Sequence, residues 1–271
     1  MPAGALALAL GAAVVHALWN VLLARTRAPQ AATAVAFGLA VVVWAPVAAA
    51  RWRVEGSAWP YIGASAALEC AYVILLGAAL GGARLSVFYP LARGLAPVLV
   101  LAVAVLALGA TTSWRQAGGV SAVAAGILLV RGRRPDRAST LFGLAIAATI
   151  AGYTIVDNSG VTRADPFAYL ELVMIPPALV SLAFVGARRG GGAIRGALRW
   201  ETARVAPLTL VPYALVLYAL RLAPAAPVAA VRETSVLLVT ALAAAVLDEH
   251  VSAWRAAGAV AVVAGVAVLA A

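Results

Sequence analysis

Five ionisable residues stand inside long apolar runs, where charge is expensive: Glu69, Arg93, Glu171, Arg232 and Glu233. A charge at bilayer depth costs about 2.5–3.5 kcal/mol on insertion scales, so such a residue faces a cavity or a partner. Arg93 lies in Tyr89-Pro90-Leu91-Ala92-Arg93-Gly94, with Tyr89 four residues earlier on the same helical face. Pro90 and Pro97 each remove a backbone donor, which kinks a helix and turns carbonyls toward a cavity. The planar guanidinium fork of Arg93 suits a substrate carboxylate or phosphate. The alternative is a structural pair with Glu69 or Glu171.

Arg232 and Glu233 are adjacent, and successive helix residues point about 100° apart. One of them lines a cavity while the other grips a neighbouring helix. Glu69 and Tyr72 share a face, where Glu69 can take a substrate ammonium, carry a coupling proton or neutralise Arg93. Glu171, near Tyr169 and followed by Pro176–Pro177, carries the same alternatives. His16 and Asn20 share a helical face, as do Tyr153 and Asp157. Trp19 offers an aromatic wall, and Tyr213 is a cavity candidate because Pro212 opens the helix beside it. Against each stands the plainer role of a hydrogen bond between helices.

Other constellations lead nowhere. Asp248–Glu249–His250 imitates a metal triplet, but three consecutive residues fan around a helix end and read as a solvated terminus. Cys70 is the single cysteine and there are two histidines, so no metal site and no cofactor is expected. The sequence has no nucleotide-binding P-loop and no His-Glu-x-x-His, and no nucleophile with a base at recognisable spacing. It is not expected to be an enzyme.

The elements that position these residues follow from composition. Of 271 residues 65% are apolar and 11% charged, against about half and a quarter in a soluble domain. The bilayer is the solvent for such a chain, and backbone satisfaction then leaves helices or a closed barrel. Runs such as Val98 to Leu108 lack the period-two alternation of a barrel, so the fold class is an all-α integral membrane protein. About ten spans of the required length appear, at 3–23, 31–50, 58–80, 86–108, 113–130, 139–158, 166–186, 203–221, 225–247 and 252–270. The first lacks the basic start of a signal peptide and reads as a span. The Gly- and Arg-rich stretch from Ala187 to Thr202 reads as an irregular loop. The +10 charge gathers between apolar runs, which speaks for membrane orientation rather than a nucleic-acid partner.

The two halves repeat. A shift of 139 lays Arg93 on Arg232, Leu108 on Leu247, Ser113 on Ser252, Gly119 on Gly258 and Gly126 on Gly265. A shift of 137 lays His16–Asn20 on Tyr153–Asp157. The expected domains are a five-helix repeat over 1–130, a basic connecting loop at 131–138 and a second repeat over 139–271. An odd number of spans per repeat inverts one half relative to the other, with a substrate site between them near the midplane. The glycines, seven apart, are expected to bring two helices close.

His16-Ala-Leu-Trp-Asn-Val-Leu-Leu-Ala-Arg25, Tyr89 to Val100 and Ala226 to Ser252 resemble the EamA-like proteins of the drug/metabolite transporter superfamily. The resemblance covers the whole chain. It implies a secondary transporter of the bacterial plasma membrane that moves amino acids or related metabolites, usually outward, by alternating access, with protons as one coupling option. A monomer suffices, because one chain supplies both sides of the cavity. The alternatives are a lipid-linked carrier flippase or a non-transporting membrane subunit. The related small multidrug-resistance proteins carry a membrane glutamate in helix 1; His16 and Asn20 stand here instead, so that exchange mechanism is not inherited. Orientation divides the two lines of reasoning. The basic loops after helices 1, 3, 5 and 7 place both termini outside by the positive-inside rule, whereas the resemblance suggests both inside.

Overall fold

A computed structural model describes residues 1–129, 136–238 and 253–271. The helices are α1 (Ala3–Ala24), α2 (Pro29–Ala50), α3 (Trp59–Ala79), α4 (Leu85–Leu106), α5 (Trp114–Leu129) and α6 (Arg137–Gly160). They continue as α7 (Pro166–Arg189), α8 (Gly191–Ala197), α9 (Trp200–Leu220), α10 (Ala225–Arg232) and α11 (Ala253–Ala270). Among the described residues there is no strand, only an isolated antiparallel bridge between Val54 and Ala164.

Among the described residues, seven helices are long and apolar enough to cross a membrane: α1, α2, α3 with its preceding turn, α4, α6, α7 and α9. Helix α5 has 16 residues and the apolar part of α11 spans Ala257–Ala270. Helix α10 stops at Arg232, passes a turn at Glu233 and resumes at Thr234. The remainder of the expected span at 225–247 lies outside the described residues, as do Leu247, the Asp248–Glu249–His250 triplet, Ser252 and the 130–135 part of the basic loop.

Starts and stops have local causes. Pro29 and Pro166 sit in the first turn of their helices, where a missing N–H costs nothing. The Asp136 carboxylate accepts from the Ser139 N–H at 2.8 Å and caps α6; Asp165 accepts from the Phe167 N–H at 3.0 Å and caps α7. Large apolar side chains such as Val42, Leu179 and Val260 are exposed outward, while alanines fill the seams between helices. The stretch from Ala187 to Thr202, expected to be irregular, instead holds α8. Ile194 of α8 lies against Gly186, and with Ala193 it packs on Ala31, Ala34 and Val185. That contact supplies what seven Gly-rich residues lack in helix propensity.

The packing alternates between halves. Helix α1 lies on α9 as α6 lies on α3, α2 pairs with α7, and α5 pairs with α11. In the last pair glycine permits direct backbone approach. A Cβ on Gly126 would stand 2.5 Å from the Gly258 carbonyl, and one on Gly265 would stand 2.7 Å from the Gly119 carbonyl. Loops therefore collect at two ends. At the terminal end, the Met1 amino group donates to the Leu269 carbonyl at 2.8 Å, and Arg221 donates to the carbonyls of Val161 and Ala164. At the opposite end Arg189 bonds Gln30, and the Arg84 N–H donates to Ser139 Oγ at 2.8 Å.

Candidate functional site

Helices α1, α3, α4, α6, α9 and α10 turn their polar residues toward one another. Arg93 is the best-held of them. One guanidinium nitrogen pairs with Glu233 Oε1 at 3.1 Å, and the other lies 2.7 Å from His16 Nε2 and 3.5 Å from the Tyr89 hydroxyl. The guanidinium carbon also stands 5.5 Å from the Tyr89 ring centre. The Arg93 and Glu233 side chains are 4% and 2% exposed, so solvent does not screen this pair. Glu233 is therefore the partner of Arg93, in place of the Glu69 or Glu171 that local sequence reasoning offered. The two carboxylates considered lie in the first half and in α7; the partner that geometry supplies comes from the turn after α10.

Arg232 diverges from Glu233, as the 100° step requires. Its fork reaches the Tyr153 hydroxyl at 3.5 Å and its guanidinium carbon lies 6.0 Å from the Tyr213 ring. Among the described residues it has no carboxylate within ion-pair distance. Arg93 Nε, Arg232 Nε, Glu233 Oε2 and Ser235 Oγ are buried with no partner among those residues. Buried polar atoms are rarely left so, and four at one helix junction single it out.

Aromatic rings wall this junction. Tyr72 meets Tyr153 edge-on at 6.4 Å, and Tyr153 meets Tyr213 at 6.0 Å. Asp157 accepts from the hydroxyls of Tyr169 at 2.9 Å and Tyr213 at 2.5 Å, which marks it as an anchored acceptor. Glu69 is 6% exposed and feels the charges of Asp157, Arg232 and Arg93. Trp19 is buried against His16 and Phe37, with ring centres 5.1 and 5.8 Å away.

Two expected residues stand apart. The Asn20 amide folds back on its own helix and donates to the His16 carbonyl at 2.8 Å. Glu171 is buried in α7 with no hydrogen bond or ion pair among the described residues, away from the charges around Arg93. Sequence reasoning named Tyr169 only as a neighbour of Glu171 and did not select it. Its signal is a spacing: Asp157 lies three residues before the end of α6 and Tyr169 three residues after the start of α7. A short turn between the helices brings both to one level. Gly160 makes room, since a Cβ there would stand 2.6 Å from the Tyr169 hydroxyl.

A second polar group closes the terminal end. Arg51 at the end of α2 pairs with Asp165 at 2.9 Å and donates to the Tyr218 hydroxyl at 3.0 Å. Burial pushes the Asp165 carboxyl up, but the Arg51 fork and the Phe167 N–H outweigh it and hold the group below the ordinary carboxylate range. The hydrogen bond from Arg51 to Asp165 pushes the guanidinium up in turn. The shallow cavity beside them, about 380 Å³, is lined by Arg51, Arg53, Asp165 and Arg221.

Membrane-length helices enclosing a charged, aromatic-walled interior define a polytopic membrane protein with an internal polar site. Residues 138–271 match the model of the EamA-like transporter family, and by that half the chain belongs to this family of the drug/metabolite transporter superfamily. It is thus a multi-pass membrane transporter of that type. A crystal structure described as "Crystal structure of protein" is similar over 100% of this chain and 99% of its own, with a TM-score of 0.75 at 17% identity. At that identity the likeness concerns the fold alone. No curated protein matches the sequence.

Proposed function

We propose that the protein is a secondary transporter of ten spans in two inverted five-helix repeats. It exports a small polar metabolite, an amino acid or related compound, across a bacterial plasma membrane by alternating access. Arg232 carries this reading: a half-buried guanidinium beside Tyr153 and Tyr213, at the turn that interrupts a helix, whose buried Nε has no partner and whose fork has no carboxylate among the described residues. Interrupted helices at the repeat interface are where secondary transporters bind their substrates. The Arg232 fork takes the substrate carboxylate, Glu69 takes its ammonium group, and Tyr72, Tyr153 and Tyr213 wall the remainder. Arg93, already engaged by Glu233 and His16, holds the two halves together in the occluded arrangement. Protons are the coupling ion and the chain works as a monomer.

The test expresses wild type and Arg232→Gln at matched membrane levels in a transporter-depleted host and compares metabolites in medium and cytosol. A charged hydrogen bond contributes about 1.5–3 kcal/mol, so efflux of one carboxylate-bearing class falls about ten- to a hundred-fold in the variant. Equal efflux by both assigns Arg232 to structure alone. No movement of any solute by folded wild type removes metabolite export in favour of a lipid-carrier or subunit role.

A further inference from the structure

We propose that His16 is a proton-binding site whose occupation releases the Arg93 clamp. The inference deepens the transporter reading by naming the residue through which a proton acts. It starts from a donor count. A guanidinium nitrogen can only donate, and the Arg93 terminal nitrogen lies 2.7 Å from His16 Nε2. Nε2 is therefore the acceptor, and the ring in this arrangement is neutral with its hydrogen on Nδ1.

A proton arriving at Nε2 takes the lone pair that Arg93 uses, and leaves two cations in hydrogen-bond contact. The two conditions exclude each other: neutral His16 with Arg93 held, or imidazolium with Arg93 displaced. The other half offers the new partner. Glu233 Oε1 is engaged by Arg93, while Oε2 is buried with no partner among the described residues. Imidazolium N–H can thus take over Glu233 as the guanidinium leaves, breaking the link between α4 and the turn after α10.

The groups facing His16 are few. Helix α4 brings Arg93 and Tyr89, and α10 brings Arg232 with Glu233 after it. Helix α2 contributes Phe37 behind Trp19 and has no titratable residue in its sequence. On α9, Tyr213 is committed to Asp157 and Tyr218 to Arg51. No carboxylate on these elements other than Glu233 is offered to the imidazole, so its protonation is tied to the clamp.

The sequence has two histidines, so His250→Gln leaves His16 as the sole imidazole signal. In lipid nanodiscs, ¹⁵N NMR of this variant is expected to show the neutral Nδ1–H tautomer at neutral pH and one conversion to imidazolium on acidification. A cysteine at Ser235, buried beside Glu233, reports opening by maleimide labelling against a Cys70→Ala background. Its labelling rate rises severalfold over the pH range in which His16 converts. His16→Gln, which still accepts from Arg93 but binds no proton, keeps labelling slow at every pH. An Nε2–H tautomer, a flat labelling profile across the His16 conversion, or an undiminished pH response in His16→Gln overturns the proposal. None of these readouts requires a transported solute, so they fail or succeed separately from the export assay.

Discussion

Arg93 and Arg232 fall 139 residues apart, on the sequence shift that superposes the two halves, yet one is locked and the other is not. The α4 helix runs unbroken past Arg93, whose fork is taken by Glu233 from the other half and by His16. The second helix breaks immediately after Arg232, whose nearest polar contact is a long one to Tyr153. The same residue type stands at both positions, and the surroundings of each give it different contacts. The step from Arg232 to Glu233 explains how. A carboxylate placed beside the second arginine, about 100° away, cannot serve that arginine and reaches across to the first. The pair that joins the halves is thus bought by leaving Arg232 without an anion of its own.

Breaking the locked arginine gives the largest effect. Arg93→Met strands Glu233 as an unpaired buried charge, and loss of one partner of such a pair costs about 3–5 kcal/mol. Thermal or denaturant unfolding in detergent should register a loss of that order. Adding Glu233→Met removes the stranded charge and recovers most of it, because a buried pair replaced by packed apolar groups is often neutral. If the double variant is no better than the single, Glu233 is not what Arg93 neutralises. Arg232→Gln sharpens the comparison from the other side. With no ion pair to lose among the described residues, it shifts the unfolding midpoint far less than Arg93→Met does, in the same measurement, while lowering efflux about ten- to a hundred-fold. An equal loss of stability in both variants would erase the distinction between the arginines.

Much of this was legible in the sequence, for reasons that also mark its limit. Span starts follow from apolar length, so α1 and α7 begin where composition put them, whereas α2 begins two residues earlier than expected, at Pro29. The repeated glycines predicted close helix contact, and α5 meets α11 there with backbone against backbone. The divergence of Arg232 from Glu233 is local helix geometry and was equally readable. The identity of Arg93's partner was not, since Glu233 lies 140 residues away and periodicity carries no information across that distance. Nor was the turn at Glu233, which no glycine or proline beside it announces. Helix α8 escaped because its stability comes from Ile194 packing on another segment rather than from its Gly-rich composition.

The smallest expected effect concerns another ion pair between halves, Arg51 with Asp165. It differs from Arg93 with Glu233 in burial: the Arg51 side chain is 49% exposed, so water screens what it contributes. Asp165 is held below the ordinary carboxylate range. A carboxyl depressed in the folded state stabilises fully above its unfolded value, and that contribution is lost as pH falls through the folded value. Asp165→Asn therefore lowers the unfolding midpoint at neutral pH by about 1–2 °C, as a screened pair allows. In acid, where wild type has already lost the charge, the two midpoints converge. A difference that persists unchanged into acid would show that Asp165 acts as the cap of α7 through its hydrogen bond to the Phe167 N–H, and that the ion pair adds nothing at this end.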